Sequence, residues 1–205
     1  MEKTEQAPRL LFAATLEVLI HQLLYVGNAY PSQSFTKTTF LGIVGQTNRY
    51  VGVVDYIRDC VEMAVPVLVA GGQMIVLIGK ERFVLSSRHF EIKLENIEGA
   101  SSQLLQTLEG QMRDLILSTH AMQRRKESSD SFQIQLKPNN ENCKELTKGM
   151  SEGKWYQSNR LPPELLNQTE TIRPIHDCSS VLCEFSFYST VHKNHKINAV
   201  HKNES

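Results

Sequence analysis

The sequence predicts an α+β domain, with three helices packed on one face of an antiparallel sheet. Three observations predict it. Apolar residues recur at helical spacing over residues 8–30, 50–69 and 101–122. Strand-like alternation occupies residues 81–95 and 131–137. A polar, aperiodic stretch from Pro138 then gives way to renewed strand character between Ile172 and Val191.

Pro8 to Tyr30 reads as one long helix. Proline suits a first helical turn, where its missing N–H is not needed. Leu11, Ala14 and Val18, with Leu19, Leu23 and Val26 nearby, follow helical spacing. Leu10, Leu16, Ile20 and Leu24 fill much of the other side. A helix apolar nearly all round belongs inside a core. His21 within it is expected to be a packed core histidine, because a metal site needs several ligands. Pro31 drives Tyr30 out of helical geometry, so the helix is expected to stop there.

Ser32 to Asn48 reads as a polar loop with at most a short strand or turn around Phe40 to Val44. Tyr50 to about Val69 reads as the second helix, with Val54, Ile57, Val61 and Val65 on one face and Tyr56 and Cys60 on an adjoining stripe. Pro66 should limit or kink its end. Gly71-Gly72 breaks the pattern. Met74 to Gly79 is a short apolar run, as in a strand covered on both faces. Glu81 to Glu95 alternates through Phe83, Leu85, Phe90, Ile92 and Leu94.

Ser101 or Ser102 can cap a third helix. Leu104, Leu105, Leu108, Met112, Leu115, Ile116 and Thr119 form its apolar stripe, and Arg124-Arg125-Lys126 end it. Those cations read as a solvated helix end. Contact with DNA or a nuclear-import signal is the competing reading. Phe132, Ile134 and Leu136 mark a further strand. Residues 191–205 form a basic tail, expected to fray.

Composition excludes several functions. The 22 Lys and Arg balance 22 Asp and Glu, unlike a dedicated nucleic-acid binder that neutralises phosphates. The four cysteines form no Cys-x-x-Cys pair and are too sparse for a disulfide scaffold. Reduced thiols of a nuclear or cytosolic protein are expected. The first residues are unlike a signal peptide, and the longest apolar runs look too short and too interrupted to span a bilayer. No phosphate loop, Gly-x-Ser-x-Gly or paired-carboxylate motif occurs. His176-Asp177-Cys178 comes closest to a catalytic cluster, with Cys183 and His192 spaced unlike zinc ligands. No enzyme, metal or cofactor is expected.

The run Leu23 to Phe35 carries Leu-Tyr, then Tyr30-Pro31, then Phe35. This pattern after a long first helix resembles the HORMA domains. The resemblance covers about residues 8–190. It implies a single domain with a core at 8–137 and a C-terminal safety belt at 138–190. Within the family the chain most resembles the non-catalytic accessory subunit of DNA polymerase zeta. Asp55-Tyr56-Ile57-Arg58-Asp59, Gln111 to Leu117, and Ile172-Arg173-Pro174-Ile175 with Val181 to Tyr188 are similar to segments of that subunit. Where its terminal strand has glutamine, this chain has Ser186.

The resemblance implies an adaptor that traps a short proline-containing peptide under its belt. The expected client is the catalytic subunit of polymerase zeta, in nuclear translesion synthesis and DNA damage tolerance. Another translesion polymerase would be a further partner. A spindle-checkpoint or meiotic-axis protein holding a different client is the alternative. Tyr56, Trp155, Ile172, Ser186 and Tyr188 would contact the client. Arg113, with Glu109 nearby, would lie on a surface for a HORMA homo- or heterodimer. Against these stand plainer roles: Trp155 anchoring a loop, Tyr56 packing its helix, Tyr188 lying in core and Arg113 being solvated. Neither sequence-specific nucleic-acid binding nor membrane association is expected.

Overall fold

The structure is a computed structural model. It describes residues 3–90, 101–129, 131–139, 170–180 and 182–192. Helix α1 (Lys3–Val26) leads through a short turn into a hairpin of β1 (Phe35–Phe40) and β2 (Ile43–Asn48). Helix α2 (Val51–Val69), strands β3 (Gln73–Ile78) and β4 (Glu81–Phe90), and helix α3 (Ser101–His120) follow. Strands β5 (Phe132–Lys137), β6 (Glu170–Ser179) and β7 (Cys183–His192) complete the order. The last five strands form one antiparallel sheet in the order β5-β3-β4-β7-β6.

Helix α1 is the core helix. Phe12, Leu16, Leu19, Ile20, Leu23 and Leu24 are buried on it. It packs against α2, α3 and β2. Contrary to the sequence expectation, Pro8–Val26 is long and apolar enough to cross a membrane by length and composition. Here that apolar surface is spent on neighbouring helices and strands. His21 is buried as expected, and burial pulls it down to about 4, so the ring is neutral. Its Nδ1 accepts the Asn48 N–H at 3.4 Å, and the Gln22 side chain beside it accepts the Gln46 N–H at 3.1 Å.

Further sequence expectations fail in this half. Helix α1 begins at Lys3, so Pro8 lies inside it rather than in its first turn. Helix α1 stops at Val26, four residues before Tyr30. Asn28 takes a φ of 55°, its N–H donates to Tyr25, and the Ala29 N–H reaches back to Leu24. This is a left-handed helix cap, so Asn28 ends the helix before Pro31 can. Gly27 also permits close packing, since a Cβ there would lie 2.8 Å from Ile78. The expected loop at 32–48 is a hairpin instead. Leu41 and Gly42 both have positive φ, the signature of a two-residue hairpin turn. Only Phe35, Ile43 and two or three neighbours are buried, so its threonines and glutamine gave little apolar alternation to read. Phe35 meets the Tyr25 ring edge-on at 5.3 Å.

The sheet buries Met74, Val76, Ile78, Phe83, Leu85, Phe185 and Phe187 against the helices. Ile75 and Val84, which alternate with these residues, are buried too. The expectation of a strand covered on both faces therefore holds for β3. Pro66 lies inside α2 without ending it. Arg124 and Arg125 lie beyond α3 and are not a solvated helix end. Arg124 donates to the carbonyls of Tyr25 and Tyr30 and to the Asn28 side chain, and it stacks on the Tyr25 ring at 4.8 Å. Arg125 pairs with Glu81 and donates to the Ile78 carbonyl. These bonds clasp the segment after α3 to the end of α1 and to the β3–β4 turn.

Candidate functional site

Strand β5 is an edge of the sheet. Its register with β3 runs unbroken from Phe132 to Lys137. Gly79 N–H donates to the Ser131 carbonyl, in line with that register. In an antiparallel ladder the bonded positions alternate. Residues 131, 133, 135 and 137 therefore turn their backbone groups toward β3. Phe132, Ile134 and Leu136 turn theirs outward. Among the described residues no strand pairs with that outer side. Such a row of N–H and C=O groups is a template for an added strand.

Aromatic rings line the same edge. Tyr56, on the solvent side of α2, meets the Phe132 ring edge-on at 5.6 Å. Tyr30 meets Phe132 at 6.0 Å and Tyr50 at 6.3 Å. The row therefore runs Tyr56, Phe132, Tyr30, Tyr50. Tyr56 is 41% exposed and Tyr50 is 58% exposed, whereas Tyr30 and Phe132 are half-buried against the core. Tyr30, Tyr50 and Phe132 were missed by sequence reasoning. Their signal was the aromatic content on both sides of Pro31 and at the start of β5, but nothing in the sequence shows that these positions meet.

The Tyr56 phenol lies in a partly buried setting. Burial pushes its hydroxyl up to about 12, and the Cys60 thiol one helical turn on pushes it the same way. The Ile134 backbone acts in the opposite sense, as an N–H donating to the phenol oxygen does. Cys60 is itself buried and pushed up to about 11 by that burial, with the Tyr56 hydroxyl opposing as a donor.

Ile172, Ser186 and Tyr188 come together elsewhere. Phe185 and Phe187 of β7 face the helices, so Ser186 and Tyr188 face away from them. Ile172 pairs with Thr190, on the same face as Tyr188, and is 63% exposed. Strand β7 stands three strands from β5, roughly 14 Å at the usual strand spacing. The structure therefore separates Tyr56 from the other three. About four extended residues of a client would bridge that gap. Trp155 lies outside the described residues.

Arg113 and Glu109 are both exposed on α3. Arg113 donates to the Leu41 carbonyl at 3.0 Å, in the β1–β2 turn. The same face of α3, two turns on, holds the same hairpin through His120, whose Nε2 lies 2.9 Å from the Val44 carbonyl. The cysteines of the suspected catalytic cluster are poor nucleophiles. Burial pushes the Cys183 thiol up to about 12 and raises Cys178 as well. Their sulfurs lie 3.9 Å apart, and Cys183 donates to the Gln111 side chain at 3.0 Å.

Three helices on an antiparallel sheet that ends in a C-terminal hairpin make this a HORMA fold. Two solved structures with that likeness are similar to it over nearly their whole length. A chain in the crystal structure of a mitotic checkpoint complex matches with a TM-score of 0.61 and 13% identity, covering 90% of this chain and 98% of its own. The C. elegans protein HTP-1, solved bound to HTP-3 motif-1, matches with a TM-score of 0.51 and 10% identity, covering 92% of each. No protein-family model and no curated protein matches the sequence.

Proposed function

We propose that the chain is a non-catalytic HORMA adaptor that binds a short peptide of another protein. The observation that carries this is the β5 edge, with outward backbone groups at Phe132, Ile134 and Leu136 and a row of aromatic rings beside it. The backbone row would pair with an extended segment. Aromatic rows favour the preformed, proline-rich conformation that should flank it. Residues 8–190 act as one domain, with 138–190 as the belt that closes over the client. Tyr56 and Trp155 are the anchors, and Ile172, Ser186 and Tyr188 take the client where it crosses the far face. Arg113 and Glu109 serve a dimer surface that includes the β1–β2 turn, since Arg113 already holds it.

The client we propose is the catalytic subunit of DNA polymerase zeta, in the nucleus. This rests on the resemblance of the segments around Tyr56, Arg113 and Pro174 to the accessory subunit of that polymerase. The solved neighbours favour a second reading, in which the client is a checkpoint or meiotic-axis protein. A pull-down from nuclear extract, read by mass spectrometry, separates the two. Wild-type chain should recover the polymerase subunit, and the Tyr56→Ala/Trp155→Ala variant should not. Recovery of checkpoint or chromosome-axis proteins would move the chain to the second reading. Recovery of partners that ignore both residues would remove the adaptor site.

A further inference from the structure

The β1–β2 hairpin has two edges of its own, and they are finished differently. The Arg49 N–H donates to the Ser34 carbonyl at one end, and a two-residue turn joins Phe40 to Ile43 at the other. Bonded pairs alternate along an antiparallel ladder. Val44, Gln46 and Asn48 therefore turn their backbone groups outward on β2, and Phe35, Lys37 and Thr39 do so on β1. Side chains of α1 and α3 meet the β2 row. His21 accepts the Asn48 N–H, Gln22 accepts the Gln46 N–H, and the His120 ring lies against the Val44 carbonyl. On β1 the Phe35 N–H donates to the Ser32 carbonyl. Among the described residues nothing pairs with the N–H groups of Lys37 and Thr39, or with the carbonyls of Phe35, Lys37 and Thr39. Thr36 to Thr39 are exposed.

Charge says what suits this open row. Between Glu17 and Asp55 the chain has no carboxylate side chain, while Lys37 stands at the centre of the row and Arg49 just past the hairpin's end. A second copy paired antiparallel on β1 would set lysine near lysine, and like charges across a strand pair are destabilising. We infer that the outer edge of β1 is a second docking strand, which takes an extended acidic segment of a partner protein. Main-chain pairing supplies the grip, as in other strand additions. Carboxylates at every second residue share one face of such a segment and meet Lys37, with Arg49 adding to the positive field. The site belongs to a different sheet from β5 and stands or falls without the client proposed there.

The test is NMR of the isotope-labelled full chain. It is titrated with a blocked peptide of alternating threonine and glutamate, and with its threonine–lysine counterpart. At saturation the glutamate peptide should slow amide exchange at Lys37 and Thr39 at least about tenfold. Thr36 and Thr38, whose N–H groups face β2, should be unchanged and report an intact hairpin. The lysine peptide should protect none of these positions. Lys37→Glu should pass the protection from the glutamate peptide to the lysine peptide. Thr39→Pro removes one outward donor and spares the hairpin's own bonds, and it should cut the protection at Lys37 at least about fivefold. Protection by both peptides alike, by neither, or only at Ile134 and Leu136 of β5 would overturn the inference. Exchange at Lys37 and Thr39 that slows with protein concentration alone would also overturn it, in favour of a second copy.

Discussion

The two edges of the five-stranded sheet are built differently. Strand β6, at one edge, contains Pro174, carries Arg173 beside it, and has its register broken between Pro174 and His176. Proline, charge and a bulge are the devices by which sheets prevent edge pairing. Strand β5, at the other edge, has no proline and no bulge, and its six residues keep one register throughout. Aromatic rings stand along it, and its one charge, Lys137, is at its end. One edge is shut by its own backbone, and the other keeps an unbroken row of outward backbone groups among the described residues. A sheet that had only to be stable would blunt both. The asymmetry is what a protein needs if it must accept a strand on one side without polymerising through the other.

The largest expected effect should leave this contrast untouched. His21 lies under the β1–β2 hairpin, away from both edges, and is neutral in the fold with its titration moved from 6.5 to about 4. The unfolded chain takes up a proton below pH 6.5 that the folded chain resists until about pH 4. Its effect on stability is therefore absent above pH 6.5 and grows as the pH falls to about 4, reaching about 3 kcal/mol of lost stability. Urea unfolding between pH 7 and pH 4 measures it, and His21→Gln should remove most of the slope. A smaller effect should fall on the β5 side alone. Arg124 holds the Tyr30 and Tyr25 carbonyls, and Tyr30 packs on Phe132. Arg124→Ala should cost about 2 kcal/mol in urea unfolding, because partly buried acceptors lose a charged donor. It should also weaken client capture by loosening the aromatic row.

Much of the fold was legible in the sequence because it depends on local periodicity. Met74 to Ile78 reads as a doubly covered strand, and Leu104 to Thr119 as a helix stripe, from spacing alone. What the sequence hid depends on residues that meet only in three dimensions. Asn28 ends α1 through a backbone conformation that asparagine tolerates, while Pro31, the louder signal, acts too late. The β1–β2 hairpin was obscured because one face of its strands is polar and the turn is Leu41-Gly42 rather than the usual Asn-Gly. Arg124 and Arg125 looked like solvent charges because their acceptors are backbone carbonyls some 50 to 100 residues away. Tyr56 could be singled out only through resemblance, whereas its neighbours Tyr30, Tyr50 and Phe132 needed the structure. Strand order, and with it the place of β5 at an edge among the described residues, has no signature in the sequence at all.

The contrast between the edges can be tested by placing the same obstacle on each. Leu136 and Asp177 both turn their backbone N–H away from the sheet, the latter because Ser180 donates to Cys183 and bonded positions alternate from there along β6. Leu136→Pro and Asp177→Pro each remove one outward donor. Capture of the proposed client from nuclear extract would be compared across wild type and both variants, at protein concentrations spanning the wild-type midpoint. The expected result is at least about a tenfold weakening for Leu136→Pro, the size of one lost hydrogen bond and its fit, and no more than about twofold for Asp177→Pro. Equal weakening, or weakening by Asp177→Pro alone while Leu136→Pro still folds and binds, would contradict the assignment of β5 as the edge that receives the client.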